Sequence, residues 1–260
     1  MGMIPYFYFP TITVGPITIF TWGLFVGLGL LIGYFIARHA IAKRGLDVAI
    51  LEKIAMYMIA AGFIGARLGH VLFYESAYFI ANPMKIFALW EGGMSSFGGL
   101  IAAGVVGIYY FKKEKLDYWL YADCTMLGLT AGWTVGRIGC FLIHDHPGTA
   151  SDFFLAVKDK DGVARHDLGL YDGIVSLVLF DMMWHLHNRS KLRSGITLLF
   201  VVVLYSIARF FLDFLRVIDT RYFGLTFAQY ASVGLLVWAM VMLRQRVAPA
   251  VTLPTDPLEG

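Results

Sequence analysis

Charge is scarce in this chain: of 260 residues only 15% are Asp, Glu, Lys or Arg, where a soluble domain carries about 25%. That scarcity excludes an ordinary soluble globular domain, and it excludes a disordered chain, which needs high charge and low hydropathy to stay unfolded. Cysteine is nearly absent. Cys124 and Cys140 are the only two and make no C-x-x-C pattern, so neither a disulfide framework nor a zinc site can be built from them alone. Basic excess is small, and a net charge of +3 is not the footprint of a nucleic-acid binder; no nucleic-acid partner is expected. No signal peptide is expected, because the first charged residue is Arg38 and the basic region that should precede an apolar core is missing. Tyr6 stands where the myristoylation pattern needs Ser or Thr. Neither a second domain nor a clear internal repeat is evident. What the chain has instead is apolar residues, 58% of the total, at a mean hydropathy of +0.69 and in long runs parted by basic clusters. This is the pattern of a polytopic membrane protein.

Seven runs are predicted to span, at 17–37, 53–74, 94–111, 118–143, 171–187, 194–214 and 222–243. The first, third and seventh carry no charge, while Asp172, Asp181 and His185 interrupt the fifth. The expected fold is all-α, a polytopic membrane protein with seven transmembrane helices in one domain over 1–246. The polar stretch 144–170 is expected to form a small periplasmic cap. The tail 247–260, with three prolines and no periodicity, is expected to be a disordered cytoplasmic segment. Lys and Arg concentrate in the loops after the odd-numbered spans, as at Lys112, Lys113 and Lys115 and at Arg189, Lys191 and Arg193. The positive-inside rule then places the N-terminus outside and the C-terminus in the cytoplasm. Small residues recur four apart, Gly23 with Gly27, Gly29 with Gly33, and Gly99 with Ala103 and Gly107, which predicts close helix packing at all of them.

Three arginines lie inside predicted spans. A charged side chain near the bilayer centre costs about 2.5–3.5 kcal/mol unless it is paired or hydrated. At about 1.5 Å per helical residue, Arg67, Arg137 and Arg209 lie roughly 21, 28 and 22 Å outward along the second, fourth and sixth spans. All three are expected in the outer half of the membrane. Guanidinium matches phosphate bidentately, so such a cluster suits the phosphate of an outer-leaflet lipid. The bland alternative is a set of structural ion pairs. On the sixth span Tyr205, Arg209, Asp213 and Arg216 share one helical face. Arg67, His70 and Tyr74 share a face of the second.

The stretch 136–148, G-R-I-G-C-F-L-I-H-D-H-P-G, resembles the signature of prolipoprotein diacylglyceryl transferases, usually G-R-x-G-N-F-x-N-x-E-x-x-G. Five further segments resemble the same family in order: 67–74, 90–100 (W-E-G-G-M-S-S-F-G-G-L), 165–172 (R-H-D-L-G-L-Y-D), 205–216 and 224–232 (G-L-T-F-A-Q-Y-A-S). The resemblance implies an enzyme of the bacterial inner membrane that needs no cofactor. It moves the diacylglyceryl group of phosphatidylglycerol onto the lipobox cysteine thiol of a prolipoprotein signal peptide. A thioether forms and glycerol-1-phosphate leaves. It further implies that Arg137 and Arg209 grip the lipid phosphate and the departing phosphomonoester, with Asp145 and Asp213 at glutamate positions of the pattern. Arg67, His166, Tyr171, Tyr205 and Arg216 fall in matching segments and are expected at the substrate, as are Gly98, Gly99, Gly136, Gly139 and Gly148; for the glycines, tight packing is the equal alternative.

The departures fall on the chemistry. Phe97 replaces the family histidine before G-G-L, Cys140 replaces the signature asparagine, and Trp22 stands where the first-span tyrosine is expected. The acids at 145, 172 and 213 are all Asp in place of Glu. Phe97 removes a proposed general base. His144 and His146, which flank Asp145, are the candidate replacements, with His166 a further one. The alternative is that they are solvated loop histidines. No metal site is expected, since H-D-H offers three adjacent ligands without a fourth partner. Cys140 is either a small packing residue or a reactive thiol near the arginines. Two other functions stay open: a divergent paralogue that binds phosphatidylglycerol but uses another acceptor or none, and a seven-helix transporter or sensor with Asp123, Asp181 and His185 on a proton path.

Overall fold

The computed structural model describes residues 4–73, 75–88, 95–189, 193–217, 219 and 221–247. Tyr74, Lys191, the first part of the 90–100 segment, the tail beyond 247 and the side chain of Phe97 lie outside that description. The chain is mostly helical and forms two compact units, 41–121 and the remainder, 1–40 with 122–260.

The larger unit opens on a hairpin of β1 (Thr11–Val14) and β2 (Ile17–Phe20), paired antiparallel with Val14 opposite Ile17. Gly15 at φ +60 takes the left-handed turn position. Helix α1 (Thr21–Lys43) follows, so the predicted first span starts four residues early: Ile17 to Phe20 are strand. Alternating β-branched residues, T-I-T-V and I-T-I-F, suit a pleated ribbon better than a helix start. The unit continues with α5 (Tyr118–Ile143), α6 (Leu168–Arg189), α7 (Ile196–Leu212) and α8 (Phe227–Val247). The seventh span also starts late, because Arg221–Tyr222 (β6) pairs with Leu225–Thr226 (β7) around Gly224 at φ +87.

Between α5 and α6, the segment expected as a cap is a small sheet. Strands β3 (Pro147–Ala150), β4 (Val157–Lys158) and β5 (Ala164–Asp167) run antiparallel in the order β3-β5-β4. Ile4 adds a bridge to Val157. Asp159 ties the β4–β5 turn, accepting the backbone N–H groups of Asp161 and Val163 at 2.9 and 3.0 Å and Arg165 Nε at 2.9 Å.

The smaller unit holds α2 (Val48–Phe73), α3 (Ser76–Ala81), a 3₁₀ turn at Pro83–Phe87 and α4 (Ser96–Lys113). Helices therefore stand at all seven predicted positions. Five of them, α1, α2, α5, α7 with its 3₁₀ extension through Leu215, and α8, are long and apolar enough to cross a membrane. Phe35, Leu72, Ile101 and Phe211 are more than half exposed, as a lipid-facing surface requires.

Glycines set the closest helix contacts. A Cβ on Gly128 would lie 2.2 Å from the Gly33 carbonyl oxygen, and one on Gly29 would lie 2.4 Å from that of Gly132; α1 and α5 touch backbone to backbone. In the smaller unit a Cβ on Gly98 would lie 2.3 Å from the Gly65 carbonyl oxygen, and one on Gly99 3.0 Å from that of Gly62. Gly23 and Gly27 depart from the expectation, with open space where their side chains would be. Spacing alone puts them on a helix face without saying whether a neighbour covers it.

Candidate active site

Arg137 sits on the penultimate turn of α5. Its Nε meets Asp172 Oδ2 on α6 at 2.6 Å, and its guanidinium carbon lies 4.8 Å from the centre of the Trp133 ring. Trp133 Nε1 donates to the same carboxylate oxygen at 3.2 Å. Gly173 lets α6 pass close, since a Cβ there would lie 3.2 Å from Arg137 Cβ. Asp172 is almost fully buried, and its Oδ1 makes no hydrogen bond. Arg137 Nη1 also donates to Cys140 Sγ at 3.6 Å, one turn further along α5.

On α7, Arg209 Nη2 lies 3.1 Å from Asp213 Oδ1, and Arg216 Nε lies 3.8 Å from the same atom. Asp213 is wholly buried. The Thr226 hydroxyl donates to its Oδ2. Gln229 braces that hydroxyl: its Oε1 accepts Thr226 N at 2.9 Å, its own N–H donates to Thr226 Oγ1 at 3.2 Å, and its Nε2 donates to the Phe210 carbonyl at 3.1 Å. Arg216 further pairs with Asp219 at 2.5 Å. Tyr205, one turn before Arg209, is close enough to Asp172, Arg209 and Arg137 to feel all three charges. Each of the two motif arginines thus holds a buried aspartate, within electrostatic reach of one tyrosine.

The three histidines take different partners. His144 ends α5 in a left-handed conformation, φ +49, which His tolerates better than most residues. Its Nδ1 lies 2.6 Å from Asp167 Oδ2, its ring packs on Phe7 and Phe141, and its Nε2 is buried without a hydrogen bond. His146 Nδ1 lies 3.4 Å from Asp145 Oδ1. Burial pushes the Asp145 carboxyl above the usual aspartate range, against the pull of His146 and Arg137. His166 pairs with the Tyr171 hydroxyl at 2.7 Å, and burial lowers its pKa. Among the described residues, Cys140, Asp145 and His146 bring one sulfur, one oxygen and one nitrogen within 4.8 Å of one another. His144, the first residue of H-D-H, is not among them.

The other expected site residues divide. Gly139 receives the backbone of α1, where a Cβ would lie 2.8 Å from Phe25 Cβ; Gly148 lies against His166 and the Leu215 carbonyl; Gly136 has open space beside it. Gly98 and Gly99 pack on α2. Arg67 belongs to the smaller unit. It is buried there and donates to the carbonyls of Lys85, Ile86 and Ala88 at 2.6, 2.8 and 3.2 Å, with Phe79 under its guanidinium at 5.1 Å.

A family model described as prolipoprotein diacylglyceryl transferase matches residues 10–244. The chain belongs to the prolipoprotein diacylglyceryl transferase family. It is 32% identical to the phosphatidylglycerol–prolipoprotein diacylglyceryl transferase of Bordetella parapertussis over 86% of this chain and 89% of that protein. It is 32% identical to the enzyme of that name from Geobacter sulfurreducens over 90% and 91%, and 28% identical to that from Bacillus cytotoxicus over 94% and 93%. The chain is accordingly a transferase of lipoprotein biosynthesis.

Within this transferase, sequence reasoning missed Asp167, Thr226 and Gln229. Each carried a local signal. Asp167 immediately precedes α6 and accepts Leu170 N at 2.9 Å, an N-cap. Thr226 and Gln229 form a T-x-x-Q capping box at the start of α8. Their tie to Asp213 carried no such signal. Asp123, offered for a proton path, is buried and accepts Gly195 N and Leu198 N at 2.8 Å each, capping α7. Asp181 and His185 form an exposed pair at 3.5 Å.

Proposed function

We propose that this enzyme transfers the diacylglyceryl group of phosphatidylglycerol to the lipobox cysteine thiol of prolipoproteins, forming a thioether and releasing glycerol-1-phosphate. The observation that carries the reading is the pairing of each motif arginine with a buried aspartate, Arg137 with Asp172 and Arg209 with Asp213, inside a chain that matches the family over nearly its whole length. The lipid phosphate inserts between the two guanidiniums, and the charge that develops on the leaving phosphomonoester is what a fixed cationic pair favours most. Asp172 and Asp213 hold those guanidiniums before substrate arrives. The unpartnered Asp172 Oδ1 is an acceptor for a hydroxyl of the glycerol headgroup. Tyr205, Arg216, His166 with Tyr171, and the glycines at 136, 139 and 148 line the lipid's path. Arg67, Gly98 and Gly99 act by holding the smaller unit's helices.

His144 takes the thiol proton. Asp167 fixes its Nδ1, which leaves Nε2 as the basic atom. The seven helices span the bacterial inner membrane with the N-terminus and the β3-β5-β4 sheet outside and the C-terminus in the cytoplasm, as the lysine and arginine distribution favours.

The test is transfer of label from phosphatidylglycerol to a lipobox peptide by the purified protein, with a cysteine-to-serine peptide as control. Cysteine-dependent labelling is expected. Folded protein that binds phosphatidylglycerol but labels no cysteine peptide would overturn the reading in favour of a divergent paralogue, which Phe97 and Cys140 motivate.

A further inference from the structure

We propose that the extended segment 4–10 is a strap that closes the thiol side of the site, and that Phe7 occupies the seat of an apolar side chain next to the acceptor cysteine. The proposal rests on the transferase reading above, with His144 as its base.

A base must come within about 2.6–3.2 Å of the group whose proton it takes. His144 Nε2 is buried and makes no hydrogen bond, so an acceptor reaches it only after something moves. Among the described residues three rings pack on the imidazole: Phe7 with its centre 4.6 Å away, Phe141 at 5.6 Å and Tyr6 at 6.0 Å. Phe141 lies on the last turn of α5 and leaves only if the helix end unwinds. Asp167, at 2.6 Å from the other ring nitrogen, is fixed immediately before α6. Phe7 and Tyr6 belong to the strap, which is therefore the cover free to lift.

The strap is tied at its ends. Ile4 N donates to the Ala156 carbonyl and Lys158 N to the Ile4 carbonyl; Phe9 N donates to the Leu142 carbonyl and Thr21 N to that of Pro10, all at 3.0 Å. Among the described residues, positions 5 to 8 add no backbone hydrogen bond between these ties. Pro5 accounts for the gap: it has no N–H, so the bridge from Ile4 to Val157 does not continue along β4. Side chains of an extended segment alternate. Tyr6 and Tyr8 are exposed, and Phe7 between them turns inward onto His144 and, at 5.1 Å, onto Phe141.

The seat under Phe7 has aromatic walls and one basic nitrogen. That chemistry fits an apolar residue beside a thiol: the side chain replaces the Phe7 ring against Phe141, and the thiol meets Nε2. A phosphate does not fit, because aromatic faces are electronegative and the Asp167 carboxylate stands behind the imidazole. The ring contacts favour the closed strap by about 2–12-fold each. The acceptor binds with its affinity reduced by the closed fraction, and the empty base is kept from water.

The test uses the full-length protein in detergent. Carbethoxylation of His144 by diethyl pyrocarbonate is followed by mass spectrometry in wild type, Phe7→Ala and Tyr8→Ala, each checked for folding by thermal melt. Transfer kinetics give the KM for a lipobox peptide in the same three proteins. A nitroxide on Tyr8→Cys reports strap motion when the cysteine-to-serine peptide is added; Cys124 and Cys140 are buried and leave the label to position 8. Phe7→Ala should be modified about 10-fold faster and show a peptide KM about 2–10-fold lower at similar kcat. Tyr8→Ala should match wild type, and the label should gain mobility with the serine peptide. An unmoved label and a wild-type modification rate in Phe7→Ala overturn the strap while transfer, and the reading above, stand. A higher peptide KM in Phe7→Ala makes Phe7 part of the binding surface and overturns the plug. Undiminished transfer by His144→Gln removes the base and with it the strap's part in the reaction. Strap release by the serine peptide with no transfer from any of the proteins keeps the strap and removes the transferase reading.

Discussion

Arg137 and Asp172 allow the clamp to be separated from the scaffold. Replacing Arg137 with Met leaves an almost fully buried carboxylate without its cationic partner, although Trp133 Nε1 still donates to it. Breaking a buried pair from one side costs about 3–5 kcal/mol, because the remaining charge is uncompensated. At roughly 2–4 °C per kcal/mol the melting midpoint should fall by about 6–20 °C. Adding Asp172→Asn removes that charge while keeping an oxygen for Trp133, and the double variant should regain most of the loss. Transfer should not return with it. Losing one fixed donor to developing oxyanion charge costs about 10²–10³-fold in rate. The assay pairs a detergent-phase melt with label transfer from phosphatidylglycerol. Near-normal transfer by the stable double variant would refute the clamp. Unchanged stability of Arg137→Met would refute the ion-pair reasoning.

Three further outcomes follow from other parts of the chain. His166 has a folded pKa below its ordinary 6.5, so the folded state resists its protonation; stability should fall as pH drops below about 6.5, and His166→Gln should flatten that part of a melt-versus-pH curve. Asp159 has a lowered pKa beside Arg165; its contribution is present above the ordinary aspartate range and lost as pH falls through the folded value, an acid limb that Asp159→Asn should abolish. Gly128→Ala should destabilise by about 1–3 kcal/mol, as overpacking does, because its Cβ would meet the Gly33 carbonyl, whereas Gly27→Ala, into open space, should not lower the melting midpoint. Asp123→Ala removes the acceptor for two N–H groups at the start of α7 and should cost about 0.5–2 kcal/mol; proton flux in reconstituted vesicles that this variant abolishes would instead revive the transporter reading.

Much of this protein is written in local periodicity. Apolar runs determined where the helices lie, since the bilayer permits no unpaired backbone and the runs have the length to cross it. The pairing of Arg209 with Asp213 was also local, because residues four apart on a helix are neighbours wherever the helix is put. The order of motifs was enough to mark the family. Only the tertiary structure decided the rest. Arg137 meets Asp172 and His144 meets Asp167 across a loop whose path is fixed by strand pairing, and no helical period joins them. Cys140 joins Asp145 and His146 because one residue takes a left-handed turn. Gly29 and Gly33 find Gly132 and Gly128 while Gly23 and Gly27 find nothing, and Arg67 donates to three backbone carbonyls that its place on a helix face does not reveal. A sequence determines which face of a helix a side chain occupies; what stands opposite that face depends on how the remaining helices pack.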